Sequence, residues 1–293
     1  VRMPYLPLFC FKFVNLSTDV ADSKNLVKLG KKTHICEYIF SFGRTRLMRK
    51  GIWAENTDKM KKYLIVVAGG RGLRMGGELP KQFLKIGEKS VLHRTIERFV
   101  SACPDIRVVT VMNPDYIDFW KKYCLSSGMV VPQSIVRGGM TRFHSVRNAL
   151  EKVPDDAVVA VHDGVRPFVS ESLIRKMFDA AENFPALIPV LPCVDTMRAL
   201  SVKRDASGKE VLEPLAVKLD RSILYSVQTP QIFHSDILKS AYSQPYDTSF
   251  TDDASAVERS GVPLSFIKGE RLNIKLTTKE DLLLARAIFN SSK

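Results

Sequence analysis

Cysteine is scarce in this chain, with 5 among 293 residues, an odd number that contains no Cys-x-x-Cys pair. That excludes a disulfide framework and a zinc site as sequence readings, and it fits a reducing cytoplasm. Cys10, Cys36, Cys103, Cys124 and Cys193 are expected to be small core or surface residues rather than nucleophiles. No window holds 18 uninterrupted apolar residues, so nothing reads as a membrane-spanning helix. A secretory signal is also missing, because no compact apolar stretch ends in a small-residue cleavage site. Zinc-finger spacing and the aromatic motif of RNA-recognition domains are absent too. The net charge of +13 would by itself suggest a polyanionic partner. Its distribution argues otherwise: residues 1–59 hold 11 Lys/Arg against 5 Asp/Glu, which leaves +7 for the other 234 residues. Neither nucleic acid nor a membrane is an expected partner.

The first 59 residues carry apolar clusters without sustained helical or strand period. They are expected to be an N-terminal extension, disordered or not native, with Met60 as the natural start. The folded domain is expected over 60–293, and an apolar content of 45% can fill a sizeable core there.

From residue 63 onward, short β-rich runs alternate with amphipathic stretches of helical period. This is the pattern of an α/β, Rossmann-like, mostly parallel sheet with helices on both faces. Strands are expected at 63–67, 106–112, 129–135, 157–161, 186–191, 223–227 and 264–267. Helical stripes cover 90–102 and 142–153, and Thr277-x-x-Glu280 is a capping-box candidate for a last helix. Residues 195–217 break the rhythm as two strands, 196–202 and 210–217, joined by a turn at 205–208. An isolated hairpin is marginal, so this protruding arm is expected to pack on a second subunit or on its own domain.

The first strand runs into Ala68-Gly69-Gly70-Arg71-Gly72-Leu73-Arg74-Met75, followed by Pro80-Lys81-Gln82. Glycines at 69, 70 and 72 remove the Cβ atoms that would hold a ligand away from the main chain, so the loop can wrap phosphates. Two standard phosphate loops are excluded by spacing. The dinucleotide fingerprint needs glycine where Met75 stands, and the P-loop needs Lys-Ser/Thr where Glu78 follows Gly77. In a doubly wound sheet, ligands sit at the carboxyl ends of the strands, which is where this loop falls.

The Gly-rich run with Pro80-Lys81-Gln82 resembles the signature of sugar-phosphate nucleotidyltransferases, and more narrowly of the 2-C-methyl-D-erythritol 4-phosphate cytidylyltransferase family. Five further segments match in order over about residues 61–290. They are Gly138-Gly139-Met140-Thr141-Arg142 through Ser145, His162-Asp163-Gly164-Val165-Arg166, Asp220-Arg221 with Gln228-Thr229-Pro230-Gln231, Thr251-Asp252-Asp253-Ala254-Ser255, and Asn273-Ile274-Lys275.

The resemblance implies transfer of a cytidylyl group from cytidine triphosphate to a sugar-alcohol phosphate, releasing pyrophosphate. Arg74, Lys81 and Lys275 would neutralise charge at the α-phosphate, and Asp163 would hold Mg²⁺, which suits a lone carboxylate beside a triphosphate. Ala68, Gly69, Gly70, Gly72, Gly139 and Ser145 would bind the nucleotide. Arg166, Arg221, Thr229 and Thr251 would hold the acceptor, with Arg221 and Thr229 reaching from the partner of a homodimer made by the arm. Met140 stands where the family often has an acidic residue. His144 and His162 read as structural, without zinc-ligand spacing. Ribitol 5-phosphate is the rival acceptor, and a catalytically silent nucleotide-binding regulator is the rival class.

Overall fold

The computed structural model describes residues 60–70 and 79–291. The expected extension at 1–59 lies outside the described residues, as do Gly72 and Arg74. Twelve strands are described: β1 (Lys61–Ala68), β2 (Lys85–Ile86), β3 (Lys89–Ser90), β4 (Arg107–Met112), β5 (Gln133–Arg137), β6 (Ala157–Asp163), β7 (Ala186–Pro192), β8 (Leu200–Arg204), β9 (Glu210–Pro214), β10 (Tyr225–Val227), β11 (Gln231–His234) and β12 (Ser265–Lys268). Seven α-helices accompany them: α1 (Val91–Ala102), α2 (Ile117–Ser126), α3 (Arg142–Leu150), α4 (Glu171–Ala180), α5 (Ser235–Ser243), α6 (Asp253–Arg259) and α7 (Lys279–Ser291). Among the described residues, no helix is long and apolar enough to cross a membrane.

The main sheet runs β10-β7-β11-β6-β1-β4-β5, with β12 on the other side of β7. Strands β1, β4, β5 and β6 are mutually parallel, while β11 and β10 run antiparallel to their neighbours. The centre of the sheet is β1 beside β6, and every residue of β6 is buried. This follows from composition: a strand covered on both faces must be apolar at odd and even positions alike.

Alternate residues feed two cores. Leu64, Val66 and Ala68 of β1 pack with Leu92, Ile96 and Phe99 of α1 and Ile174 and Met177 of α4. Tyr63 and Ile65 point the other way, to Phe143, Val146 and Ala149 of α3 and Leu238, Ala241 and Val257 of α5 and α6. Each fully buried Leu, Ile or Phe here contributes about 1.5–3 kcal/mol relative to exposure. A third cluster, Ile86, Val91, Val165, Leu276 and Ala285, seats α7 against the β2–β3 ribbon and the segment after Asp163.

Each expected strand has a counterpart, with differences in detail: the arm strands expected at 196–202 and 210–217 lie at 200–204 and 210–214, and the one expected at 223–227 starts at Tyr225, after a turn at 221–223. The strand expected at 129–135 starts only at Gln133, because Pro132 has no N–H to give the ladder. Strand β11 was not anticipated: its four residues, QIFH, follow the cis peptide Thr229-Pro230 and are too few to show a period. The capping box of α7 sits one residue later than expected. Thr278 N–H donates to the Asp281 carboxylate at 2.8 Å, and Thr278 Oγ1 accepts from Asp281 N–H at 3.4 Å.

The arm forms its own antiparallel pair, β8 with β9, in the register Leu200↔Pro214 to Arg204↔Glu210. Asp205 Oδ1 accepts from the N–H groups of Ser207 and Lys209, and Gly208 closes the turn at φ +81°, where a side chain would be strained. Val202 is 61% exposed and Leu212 63%, so the arm leaves its apolar residues uncovered within one chain.

Candidate active site

Four strand ends converge at one edge of the sheet. Val67 pairs with Asp163, Ala68 with Met112, and Met112 with Arg137. Each of β1, β5 and β6 is followed there by a glycine-containing turn. Gln82 fastens the first of these turns: its Nε2 donates to Ala68 O at 2.8 Å and Gly70 O at 3.0 Å. The side chain is 1% exposed, so it fixes the exit of β1 and, through its neighbour in the Lys81–Phe83 turn, the backbone of Lys81.

After β5, Gly138 N–H donates to Met112 O at 2.8 Å and turns the chain into α3. A Cβ at Gly139 would stand 2.4 Å from His144 Cβ, so only glycine lets this turn lie on the first turn of the helix. Thr141 caps α3, accepting from His144 N–H through its hydroxyl. Ser145 Oγ accepts from Gly139 N–H at 3.0 Å and donates to Thr141 O at 2.9 Å. Its hydroxyl therefore shapes the turn, and an added Cβ at Gly69 would come within 3.9 Å of it. Met140 is almost wholly exposed.

Asp163 ends β6 and gathers cations. Its Oδ2 accepts from Arg166 Nε at 3.1 Å and lies 3.1 Å from Lys275 Nζ, while Arg142 Nε stands 4.0 Å from Oδ1. Burial works to raise the carboxyl, but Arg142, Lys275 and Arg166 outweigh it and hold the group well below the usual carboxylate range. Arg142 is itself gripped by Asp253, two-pronged at 2.7 and 2.6 Å. Asp253 is fully buried and also accepts from the Tyr242 hydroxyl. Burial and the Asp253 charge push the Tyr242 phenol well above its ordinary range.

Behind the carboxylate lies a closed network. Asp163 N–H donates to Thr229 Oγ1 at 3.1 Å. His162 Nε2 is 3.1 Å from Arg166 O, a carbonyl that can only accept, so this nitrogen carries the proton and Nδ1 accepts from Thr229 Oγ1 at 3.0 Å. Burial lowers the His162 imidazole to about 4 from 6.5. The unfolded chain thus takes up this proton first. The neutral ring contributes on the order of 3 kcal/mol above pH 6.5, lost as pH falls toward 4. In urea titrations of the metal-free protein, the stability gap between wild type and His162→Gln should narrow from pH 7 to pH 4.5. A gap independent of pH would contradict the neutral assignment.

Ala68, Gly69, Gly139, Ser145, Asp163, Arg166, Thr229 and Lys275 thus come together at one sheet edge, with Lys81 at the exit of the first turn. Two residues stand differently from expectation. Thr229, expected to reach toward a partner's site, is buried with its hydroxyl committed to its own chain's Asp163 turn. Arg166 also faces inward, with Nε on Asp163 and Nη1 on Asn273 O at 2.8 Å, which leaves it little freedom to grip an acceptor. Thr251 is exposed, just before the α6 cap formed by Asp252 and Ser255. Arg221 lies apart at the base of the arm, donating to Val194 O at 3.0 Å. Arg142, Asp253 and Gln82 escaped assignment by sequence reasoning, although each lies in a matched segment or next to Lys81.

A single ionised carboxylate, whose Oδ1 has no partner within hydrogen-bond distance among the described residues, suits Mg²⁺, which takes one or two protein ligands and fills its shell with water and phosphate. A doubly wound sheet with a glycine turn after its first strand and a cation-ringed carboxylate at its switch point has the makings of a nucleotidyltransferase site.

Comparison with known proteins agrees. The family model described as IspD, 2-C-methyl-D-erythritol 4-phosphate cytidylyltransferase, matches residues 63–291. Proteins of that description from Bacteroides fragilis and Porphyromonas gingivalis are 46% and 43% identical, covering 78% and 80% of this chain and the whole of each relative. The crystal structure of the enzyme from Thermus thermophilus, 29% identical, superposes with a TM-score of 0.57 over 79% of this chain and 100% of that one. The chain belongs to the 2-C-methyl-D-erythritol 4-phosphate cytidylyltransferase family.

Proposed function

We propose that the chain transfers the cytidylyl group of cytidine triphosphate to 2-C-methyl-D-erythritol 4-phosphate, releasing pyrophosphate, in isoprenoid precursor synthesis. The observation that carries this reading is Asp163 with Arg142, Arg166 and Lys275 around it, placed beside the glycine turn of β1 in a chain of this family. A phosphate-monoester oxygen of the acceptor attacks the α-phosphorus in line. The bond to the β-phosphate oxygen breaks and pyrophosphate leaves with its electron pair. The nucleophile is already largely anionic near neutral pH, since the second phosphate pKa is about 6, so a general base adds little.

Bringing two anions together is the difficulty. Lys275 and Lys81, with Arg74, oppose the charge building on the α-phosphate, which makes catalysis mainly positioning and electrostatics. Asp163 would hold Mg²⁺, and the ion when bound supplies further neutralisation of the phosphates. Ala68, Gly69, Gly70, Gly72 and Gly139 offer backbone to the nucleotide, and Ser145 holds the turn that presents it. Arg166 and Thr229 act as positioning residues for Asp163, while Arg221 and Thr251 are left to meet the acceptor. Lys81→Ala should lower kcat roughly 10²-fold while calorimetric cytidine triphosphate affinity is largely kept; turnover near wild type would contradict its role.

We further propose a homodimer in the cytoplasm, joined through the arm. Support for the dimer comes from the uncovered apolar residues of β8 and β9, which a soluble monomer would not normally display as a patch. Light scattering should give twice the chain mass, falling to one chain mass for Val202→Asp/Leu212→Asp; an unchanged mass for that variant would exclude the arm as the contact. The test of the activity itself is pyrophosphate release with cytidine triphosphate, Mg²⁺ and either methylerythritol phosphate or ribitol 5-phosphate. Release should depend on the former. Release with ribitol 5-phosphate alone would reassign the acceptor, and release with neither would favour a silent nucleotide-binding protein.

A further inference from the structure

Lys275 reaches Asp163 from a segment that has no regular structure of its own. Between β12 and α7, residues 269–278 form neither helix nor strand, yet Lys275 Nζ must be held near one carboxylate oxygen. The downstream side is fixed by Leu276, whose N–H donates to Val165 O at 3.0 Å and whose side chain is buried in the third cluster. On the upstream side the backbone of Glu270 is gripped by one side chain, Gln228. Its Oε1 accepts from Glu270 N–H at 3.0 Å, and its Nε2 donates to Glu270 O at 2.9 Å with Asn273 O at 3.4 Å. The amide thus pairs with both backbone groups of one residue, as a neighbouring strand would.

Three features show that the chain is built around this contact. Gly269 donates its N–H to Val190 O at 2.8 Å, and a Cβ there would stand 2.3 Å from Gln228 Oε1. Gln228 is anchored by its own N–H to Pro189 O at 2.9 Å and is 7% exposed. Asn273, fully buried, donates from Nδ2 to Thr229 O at 2.8 Å, and its carbonyl accepts from Arg166. A second tie from the same segment, the Glu270 carboxylate to Ser170 N–H and hydroxyl at the cap of α4, pins the loop to the helix layer.

We infer that Gln228 is a positioning residue for the transfer reaction: through residues 269–275 it sets the Lys275 ammonium beside Asp163. This rests on the reading of Lys275 as the cation that meets the phosphates. Near the reacting atoms, a displacement of about 1 Å can cost as much as 10²-fold in rate, whereas overall stability has other anchors in Leu276 and Glu270.

Two substitutions loosen the contact from opposite sides. Gln228→Leu removes the amide, and Gly269→Ala pushes against it with one methyl at a position whose φ is not in the left-handed region. Each is measured alone and with Lys275→Ala, by pyrophosphate release with saturating acceptor, and with circular dichroism to confirm the fold. Each single variant should lower kcat roughly tenfold with KM for cytidine triphosphate changed less than about twofold, the pattern of a lost transition-state interaction. On the Lys275→Ala background the same substitutions should cost less than about twofold further, because residues acting through one group are not additive. A tenfold loss that persists without Lys275 would overturn the inference, as would wild-type kcat in both single variants while Lys275→Ala is slow. Wild-type kcat in Lys275→Ala would instead remove the role of Lys275, and the inference with it. Should Gln228→Leu fail to fold, Gly269→Ala carries the same test.

Discussion

Asp163→Asn should lower turnover roughly 10³-fold or more. The side chain keeps nearly its size, so the loss reports charge. Two consequences combine: a carboxylate suited to Mg²⁺ at this sheet edge is gone, and three cations lose the anion they share. Lys275 is 44% exposed at its side chain and can swing toward water, but the Arg166 side chain is only 11% exposed and, among the described residues, keeps Asn273 O as its remaining partner. The variant should therefore also be less stable, since removing one partner of a buried ion cluster leaves uncompensated charge. Stopped-flow release of pyrophosphate gives the first effect and urea unfolding the second. Asp163→Glu, which keeps the charge but moves it by one methylene, should recover stability more than activity. Turnover of Asp163→Asn within tenfold of wild type would mean that the carboxylate is not part of the chemistry.

Arg142→Met should destabilise the fold by about 3 kcal/mol, the low end for breaking a buried pair, because the Arg142 side chain is 28% exposed while that of Asp253 is fully buried. The cost comes less from the lost attraction than from Asp253, which would remain charged with, among the described residues, the Tyr242 hydroxyl as its one remaining partner. That mechanism makes a second expectation. In Arg142→Met/Asp253→Leu the orphaned charge is gone, so much of the stability should return. Turnover should not return, since the cation 4.0 Å from Asp163 is still missing. Urea midpoints of the two variants separate the effects. A loss below about 1 kcal/mol in the single variant would show that the pair contributes little, as exposed ion pairs do.

Residues 63–67 and 157–161 were legible as central strands because a strand buried on both faces leaves an unbroken apolar run. The stripes at 90–102 and 142–153 were legible because helices packed on one face show their period. The place of Asp163 at the carboxyl end of a buried strand was readable in the same way. What escaped depends on partners far away in sequence. Gln82 reaches Ala68 across 14 positions, Arg142 reaches Asp253 across 111 and Gln228 reaches Glu270 across 42. No local pattern of polarity announces such pairs, since a buried polar side chain looks in sequence like an exposed one. The inward direction of Arg166 and the self-contained hydroxyl of Thr229 were hidden for the same reason. Strand β11 was hidden for a different one, being a four-residue insertion of antiparallel ladder into a sheet whose rhythm is parallel.

The proposed transfer is one displacement at phosphorus, with cations steadying the crowded centre and no nucleotide bonded to the protein. The stereochemical course with a single diastereomer of the α-thio analogue of cytidine triphosphate and methylerythritol phosphate tests this. One in-line displacement predicts inverted configuration at the α-phosphorus in the product. Retention, which needs two displacements through a cytidylylated side chain, would contradict it, and so would the absence of any acceptor-dependent product.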